Sequence, residues 1–292
     1  MKKPTVEQTL AALHAVRAAD PLPLDELREG LAHSTNAVVA KAATIAGDRR
    51  AEALVPELVS AMGRLFTKPD PGCAGKIALA RALKALEHPD AEIFLCGLRH
   101  VQMEAAYGGA VDTAAPLRAL SALALSECQS IAPRDALRWL IDALPDREAL
   151  TRVDVIRAIG QVNSLEADAV LRTKARLGDA AVEVTGQCLL TIVEREGVAA
   201  LPFVGSFLGD RQLRVEAAMA IAAQRGPEAL ALLVAAWRPA RERDLLLAIG
   251  TLRTPEAVAF LLPLLQEERA ARQALEPCRH LPGVEDALAQ PR

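Results

Sequence analysis

The residues of this chain that are suited to binding a metal are a few cysteines and histidines in its first half. Cys96 and His100 are four positions apart, which places both on one face of a helix. With Cys73 and His88 upstream, they offer the side-chain types that zinc prefers. However, the chain contains no CxxC or HExxH spacing, and a thiol beside a surface histidine is the simpler interpretation. We therefore predict no metal site and no cofactor.

A phosphate-binding loop is suggested by the segment Gly72-Cys73-Ala74-Gly75-Lys76. The segment lacks a Ser or Thr after the lysine, its first glycine is too close, and no parallel strand precedes it. A connection between two helices, with a capping glycine, fits better. The nucleophile motif GxSxG is missing, and Gly205-Ser206 precedes an aromatic residue in a predicted helix. We predict no catalytic residue.

Polar side chains of several types are concentrated between residues 99 and 118. Tyr107 is the only tyrosine and stands beside the only Gly-Gly pair, which predicts an exposed aromatic side chain on a flexible hinge. Loops of this kind often carry function. The other interpretation is a loop without function whose tyrosine folds back onto the core. The predicted contact residues are Arg99, His100, Gln102, Glu104, Tyr107, Asp112 and Arg118.

The composition predicts an all-α protein, because Ala and Leu dominate and aromatic residues make up only 3% of the 292 positions. A net charge of -3, without a run of five like charges, is unlike an electrostatic nucleic-acid binder. Five scattered cysteines in apolar runs predict buried free thiols in a reducing compartment. No apolar run approaches the roughly 20 residues of a membrane span, and Glu7 and Gln8 interrupt a signal peptide, so we expect the cytoplasm and no membrane partner.

The elements that must position these residues are helical repeats, which are clearest over Arg211–Leu265. Two copies of one unit follow each other there, each with an apolar helix, a short GPEA or TPEA break and a second apolar helix. An alanine near the start of each second helix serves as an anchor, and a large aliphatic residue recurs eight positions before it and four after it. The anchors are Ala53, Ala91, Ala136, Ala167, Ala200, Ala229 and Ala257. Cys128 breaks the first rule and Glu57 breaks the second.

A hairpin of two such helices cannot bury its apolar stripes alone, so neighbouring hairpins are expected to stack. The longest spacing between anchors, 91 to 136, contains the 99–118 segment, which we interpret as an insertion at a binding edge. We predict one repeat domain over 1–292. Its predicted parts are a capping helix within 1–22, repeats over 23–268 with the insertion near 99–115, and a polar C-terminal cap with a frayed tail over 269–292.

The unit R-x-x-A-x-x-A-I, followed by P-E-A-x-x-x-L-x-x-L, resembles the HEAT-repeat superfamily, in particular the bacterial HEAT-like repeats also found in bilin lyases. The resemblance covers about 35–265. It implies an all-α, right-handed α-α superhelical solenoid of about seven HEAT-like helical hairpins. It also implies that the first helix of each hairpin lines the concave face. Those helices are expected at about 37–47, 75–87, 114–126, 152–162, 183–194, 212–224 and 241–252.

The predicted first helices carry a mixed row of residues that is moderately basic. A solvated helix face is one interpretation of this row, and a groove for an acidic peptide or protein is the other. Arg152 and Arg214 therefore join the predicted contact residues. Trp139 and Trp237 fall in second helices, where packing is their expected role. The row comprises Lys76, Arg152, Thr185, Arg214 and Glu242, with Arg118, Arg157 and Arg241 added.

Three functions are compatible with the predicted helical-repeat fold. The first is a non-catalytic protein-binding scaffold that uses the concave face and the 99–118 insertion to hold a partner protein or peptide. The second, suggested only by the repeat type, is a bilin-lyase-like enzyme, although a chromophore pocket is usually lined by aromatic residues. The third is a HEAT-like DNA glycosylase that stacks a damaged nucleotide on an aromatic side chain. We favour the scaffold and expect no nucleic-acid partner.

Overall fold

The computed structural model describes residues 5–289 and is built mainly of helices there. Contacts within the chain divide it into two compact units, Met1–Asn163 and Ser164–Arg292. The prediction of one continuous repeat domain stays a prediction. Among the described residues, no helix combines the length and apolar character needed to cross a membrane.

The first unit contains nine helices among its described residues and one β-hairpin. The helices are α1 (Val6–Val16), α2 (Leu24–Ala32), α3 (Asn36–Asp48), α4 (Val55–Thr67), α5 (Ala74–Ala85), α6 (Ala91–Leu98), α7 (Ala115–Glu127), α8 (Pro133–Ala143) and α9 (Ala149–Gln161). The hairpin, between α6 and α7, consists of β1 (Met103–Ala106) and β2 (Gly109–Asp112). The strands are a departure from the all-helical prediction.

The second unit is helical throughout its described part, apart from short connections. Its helices are α10 (Leu165–Leu177), α11 (Val182–Glu196), α12 (Leu201–Gly205), α13 (Arg214–Ala223), α14 (Pro227–Ala240), α15 (Arg243–Thr251), α16 (Pro255–Leu261), α17 (Arg269–Leu275) and α18 (Val284–Ala289). The seven pairs from α3/α4 to α15/α16 stand where the sequence predicted repeats, although α9 and α10 fall in different units. The predicted all-α class of repeated helical hairpins is confirmed.

Local signals explain where many of these helices begin. Thr5 caps α1 in a capping box with Gln8, and the Ser164 hydroxyl accepts a hydrogen bond from the backbone of α10. Pro227 and Pro255 occupy the first positions of α14 and α16, where a missing N–H costs nothing. The PEA breaks predicted from the sequence are therefore helix starts.

The first helices of successive pairs pack on one another within each unit. In the first unit α3 contacts α5, α5 contacts α7 and α7 contacts α9; in the second, α11, α13, α15 and α17 form the same succession. The aliphatic residues that mark the repeats lie in these interfaces or against the second helices. Ile45, Leu83, Ile159, Ile192, Ile221 and Ile249 are each at most 1% exposed.

Two exceptions to the repeat rule have simple structural reasons. Cys128 lies just after the end of α7, and Leu125, three positions earlier, is the last buried residue of that helix. In α4 the first buried residue is Leu58, one position after Glu57, so the alignment of that repeat was shifted by one. The pattern of burial is otherwise as predicted.

The segment 269–289, which belongs to the predicted C-terminal cap, contains a further helical pair. Apolar side chains of α17, of the connection and of α18 are buried, as in the preceding pairs. These residues are Ala271, Ala274, Leu275, Cys278, Val284 and Leu288. The end of the expected frayed tail, 290–292, lies outside the described residues.

The five cysteines are free thiols, but the prediction that all are buried was wrong. Cys73, Cys188 and Cys278 are buried, Cys128 is half-buried, and Cys96 is exposed on α6. Burial raises the pKa of the Cys73 and Cys188 thiols to about 12, which suppresses their reactive thiolate form at neutral pH.

We expect one thiol of the native protein to react rapidly with Ellman's reagent. Cys96 is the exposed cysteine of the five, and its thiol makes no hydrogen bond with the described residues. Cys128 donates to the Pro89 carbonyl over 3.2 Å and should react slowly. The measurement is the time course of absorbance with and without urea. The Cys96→Ser variant should lose the rapid phase, and an unchanged rapid phase in that variant would contradict the assignment.

Candidate functional site

The insertion between α6 and α7 forms a β-hairpin. Met103 pairs with Asp112 and Ala106 pairs with Gly109, which leaves Tyr107 and Gly108 as a two-residue turn. Gly108 has a φ of 90°, a value that favours glycine at the second central position of a type II turn. The Gly-Gly pair thus provides turn geometry.

Backbone hydrogen bonding extends one residue pair beyond the strands, at the end of the hairpin next to α6 and α7. The Thr113 N–H donates to the Gln102 carbonyl over 2.9 Å, so the Gln102–Thr113 pair is hydrogen-bonded. Bonded and non-bonded pairs alternate in an antiparallel ladder, so Met103 and Ala105 direct their N–H and C=O groups away from β2. The free edge of β1 therefore presents unpaired backbone groups.

Arg118, near the start of α7, joins the hairpin to the next helical pair. Its guanidinium contacts Asp112 Oδ2 over 2.7 Å and both oxygens of Asp146 over 2.6 and 3.1 Å, and it donates to the His100 carbonyl over 3.0 Å. Arg118 is only 5% exposed. Its predicted role as a surface contact is therefore corrected: Arg118 positions the hairpin.

Asp112 is held as a carboxylate by the same cluster. Burial acts to raise its pKa, but the backbone N–H groups of Gln102 and Ala114 and the Arg118 guanidinium outweigh burial, and the pKa is lowered. The side chain also closes an Asx turn by accepting from the Ala114 N–H over 3.0 Å. Asp112, like Arg118, is committed to internal bonds.

Glu104 fastens β1 to the connection between α4 and α5. Its carboxylate accepts from the Gly72 N–H over 2.8 and 3.0 Å and from the Thr113 hydroxyl over 3.1 Å. A hydrogen bond from the Gln102 amide, opposed by burial and supported by the Gly72 N–H, lowers the pKa of Glu104. The hairpin is therefore fixed on this side too.

The loop that resembles a phosphate site binds the chain's own carboxylates. Asp70 accepts from the Gly75 and Lys76 N–H groups over 3.0 and 2.9 Å, while Glu104 takes the Gly72 N–H. Lys76 is 2% exposed, and its ammonium lies 2.8 Å from Gln102 Oε1 and 3.5 Å from Asp70 Oδ2. These groups are used in folding, as the helix-connection interpretation expected.

A recurring pair that the sequence predictions did not include accounts for two buried cations, Lys76 and Arg118, and one half-buried cation, Arg152. An aspartate stands six residues before a basic residue at 70 and 76, 112 and 118, and 146 and 152. Each basic side chain donates to a backbone carbonyl of the preceding connection or helix end, so the row is largely structural. The spacing Asp-x5-Lys/Arg, repeated in three successive repeats, was the available signal.

The side chains that the hairpin offers to solvent are apolar. Tyr107 at the turn is fully exposed, and Val101, Met103 and Val111 are 57%, 52% and 53% exposed. Most of these residues lie within ten positions, on a segment whose base is held by buried ion pairs. The strand pairing places Met103 and Val111 on opposite faces, so the hairpin presents apolar side chains on both faces and at its turn. Exposed apolar side chains concentrated on one segment commonly mark an interaction site.

A cleft of about 400 Å³ lies beside the hairpin. Leu98, Val101, Ala143 and Pro145 give it apolar walls, and Trp139 of α8 borders it. The charged residues around it are of both signs. They comprise Arg99, Asp112, Arg118, Asp142, Asp146 and Arg147. The cleft is suited to mixed apolar and polar contacts.

The other predicted contact residues fall in three places. His100 lies beyond the end of α6, against the edge of the Phe66 ring at 5.3 Å, so it does not share a helix face with Cys96. Arg152 donates to the Asp146 carbonyl over 2.7 Å near the cleft. Arg214 belongs to the second unit, where it donates to Leu208 and pairs with Glu242. The structure therefore groups the 99–118 residues and Arg152 within the first unit, around the hairpin.

Among residues 5–289, no group of three or more His, Cys, Asp or Glu side chains is arranged to hold a metal ion. Trp237 is 2% exposed and packs against the edge of Phe260, with ring centroids 5.6 Å apart. Packing is thus the role of Trp237, as expected.

Comparison with known proteins gives only distant structural neighbours. No family model matches the chain, and no curated protein sequence matches it. The crystal structure of YibA from Escherichia coli is 14% identical and has a TM-score of 0.49, over 96% of this chain and 99% of that chain. Human deoxyhypusine hydroxylase in complex with glycerol is 16% identical with a TM-score of 0.33, over 95% and 92%.

Proposed function

We propose that this chain is a HEAT-like repeat scaffold that holds a partner protein or peptide without catalysing a reaction. The contact surface we assign is the hairpin surface, defined as Val101, Met103, Tyr107 and Val111, together with the cleft beside it. The observation that carries the proposal is the contrast between an exposed apolar hairpin and its buried, ion-paired base.

The hairpin is preorganised for binding because its base is already held by internal contacts. A flexible loop loses conformational entropy when it binds, whereas a segment already fixed at its base loses little. Tyr107 supplies a large side chain of the type enriched among residues that dominate binding energy. The unpaired backbone groups of Met103 and Ala105 supply hydrogen bonds for an extended segment laid along β1. We therefore expect part of the partner to bind as an added strand.

The two enzymatic alternatives gain no specific support. Trp237 is buried, and the cleft near Trp139 is bordered by Asp142 and Asp146 as well as by arginines, so its charge is poorly suited to a phosphate backbone. Apolar walls and mixed charges favour a protein surface instead.

The proposal is tested by quantitative capture from the lysate of the native host, followed by mass spectrometry. The double variant Tyr107→Ser/Val111→Thr removes apolar surface from the hairpin and should reduce recovery of the partner by about tenfold or more. The matched control is Leu165→Thr/Leu177→Ser, which changes two strongly exposed apolar residues on α10.

A protein recovered by wild type and by the control, but lost with the hairpin variant, is the predicted result. Circular dichroism should give the same helical signal for all three proteins. The absence of any protein with that pattern of recovery would reject the assigned surface.

A further inference from the structure

A second cleft, in the second unit, is lined mainly by arginines. It has a volume of about 780 Å³ and lies where the connection before α15 meets α17. The cleft is formed by Arg241, Arg243, Glu268, Arg269, Ala270, Arg272, Gln273 and Glu276. Four cations against two carboxylates give this surface a positive charge, although the chain as a whole has a net charge of -3.

Both carboxylates of the cleft already have cationic partners. Glu268 pairs with Arg241 over 3.1 Å, and Glu276 pairs with Arg279, which lies outside the lining, over 2.6 Å. Among the described residues, the exposed side chains of Arg243 and Arg269 lie within ion-pair distance of no carboxylate. These two guanidinium groups are therefore the groups available to an anionic ligand.

Contacts with neighbouring residues orient two of these arginines before any ligand binds. Arg241 lies over the Trp237 ring, with the guanidinium carbon 4.4 Å from the ring centroid. Arg243 donates to Gln273 Oε1 over 2.7 Å. A side chain that is already oriented loses less entropy on binding, and the planar guanidinium matches a carboxylate with two parallel hydrogen bonds.

We propose that this arginine cleft binds an acidic peptide segment, that is, a glutamate- or aspartate-rich stretch of a partner protein. A nucleic acid fits less well, because none of the residues lining the cleft is aromatic, so none offers a ring for base stacking, and Glu268 and Glu276 interrupt a phosphate track. The inference rests on its own residues in the second unit and does not depend on the hairpin.

The test is fluorescence anisotropy with a labelled (Glu-Gly)5 peptide at 50 mM salt. Wild type should bind it, and Arg243→Gln/Arg269→Gln should weaken binding at least about tenfold, because two charge-assisted contacts are lost. Arg211→Gln/Arg225→Gln removes the same charge from exposed positions of the same unit that do not line the cleft, and should change affinity less than about twofold. A labelled (Gln-Gly)5 peptide should not bind.

Three results would overturn the proposal. They are a lack of (Glu-Gly)5 binding by wild type, equal weakening in both double variants, and tighter binding of a ten-nucleotide oligo-dT than of the peptide. Inorganic phosphate at the same ionic strength should compete weakly, since it presents one anion where the peptide presents several.

A second measurement on the wild-type protein avoids any effect of substitution on folding. Hydrogen–deuterium exchange over 268–276 should slow when (Glu-Gly)5 is added, and unchanged exchange there would contradict the assigned cleft. Loss of partner capture through the hairpin surface would leave these results unaffected, so the two proposals fail separately.

Discussion

Replacing Arg118 with methionine is expected to lower the free energy of unfolding of the first unit by about 3–5 kcal/mol. The change keeps much of the side-chain volume but leaves Asp112 and Asp146 in a buried place without their cation. An uncompensated buried carboxylate is costly because the protein interior solvates charge poorly. Urea unfolding in a Trp237→Phe background, where Trp139 is the only tryptophan, measures this unit.

The matched substitution is Arg157→Met, which removes an exposed arginine and its ion pair with Asp154 from α9. This variant should lose no more than about 1 kcal/mol, because exposed ion pairs contribute little. A loss below about 1 kcal/mol for Arg118→Met as well would show that the cluster does not hold the base of the hairpin.

The same cluster predicts a dependence on pH. Because the pKa of Asp112 is lowered on folding, its contribution is present above the pKa of an unfolded aspartate, about 3.9, and is lost as the pH falls through the folded value. Wild type should therefore lose stability below about pH 5, and the gap between wild type and Arg118→Met should narrow. A constant gap from pH 7 to pH 3 would contradict this assignment.

Replacing Gly250 with alanine should destabilise the second unit by about 3 kcal/mol or more. A Cβ built on Gly250 would stand 1.9 Å from the carbonyl oxygen of Ala274, so α15 and α17 would have to separate. Backbone atoms cannot rotate away as the end of a side chain can. Urea unfolding in a Trp139→Phe background, followed by Trp237 fluorescence, measures this unit.

The control for this glycine is Gly63, in α4, where a new Cβ would meet nothing within 4 Å. Because α4 belongs to the first unit, Gly63→Ala is followed by Trp139 fluorescence in the Trp237→Phe background. This variant should raise the free energy of unfolding by about 0.5–1 kcal/mol, because alanine restricts the unfolded chain more than glycine does. If Gly250→Ala changed the free energy of unfolding of its unit no more unfavourably than Gly63→Ala does, the packing of α15 on α17 would be refuted.

The helical pairs were predictable from the sequence because their signal is periodic and local. Ile159 and Ile249 recur at fixed offsets, and the PEA breaks place a proline at a helix start, so one spacing rule locates both helices. The strands at 103–112 were missed because four residues are too few for a period-two pattern to stand out. The strands are held by residues distant in the sequence. Gly72 donates a hydrogen bond to Glu104, and Arg118 joins Asp112 to Asp146.

The candidate site was located from the sequence, but its side chains were assigned to the wrong roles. Polarity indicated Asp112 and Arg118 as contact residues, yet both are used internally because a buried charge needs an opposite charge. Met103 and Val111, which apolar character would place inside, are exposed because two short strands have no layer to pack against. Only tertiary packing determines which of these side chains are exposed to solvent.

Photo-crosslinking from position 107 tests the central claim most directly. Benzoylphenylalanine placed at Tyr107 should form a covalent adduct with a partner protein in the native host, and the same group placed at Val198, an exposed apolar residue of the second unit, should not yield that adduct. We expect one or a few discrete partner bands that depend on light and on position 107. No adduct from position 107, or the same bands from both positions, would contradict the claim that the hairpin is a contact surface.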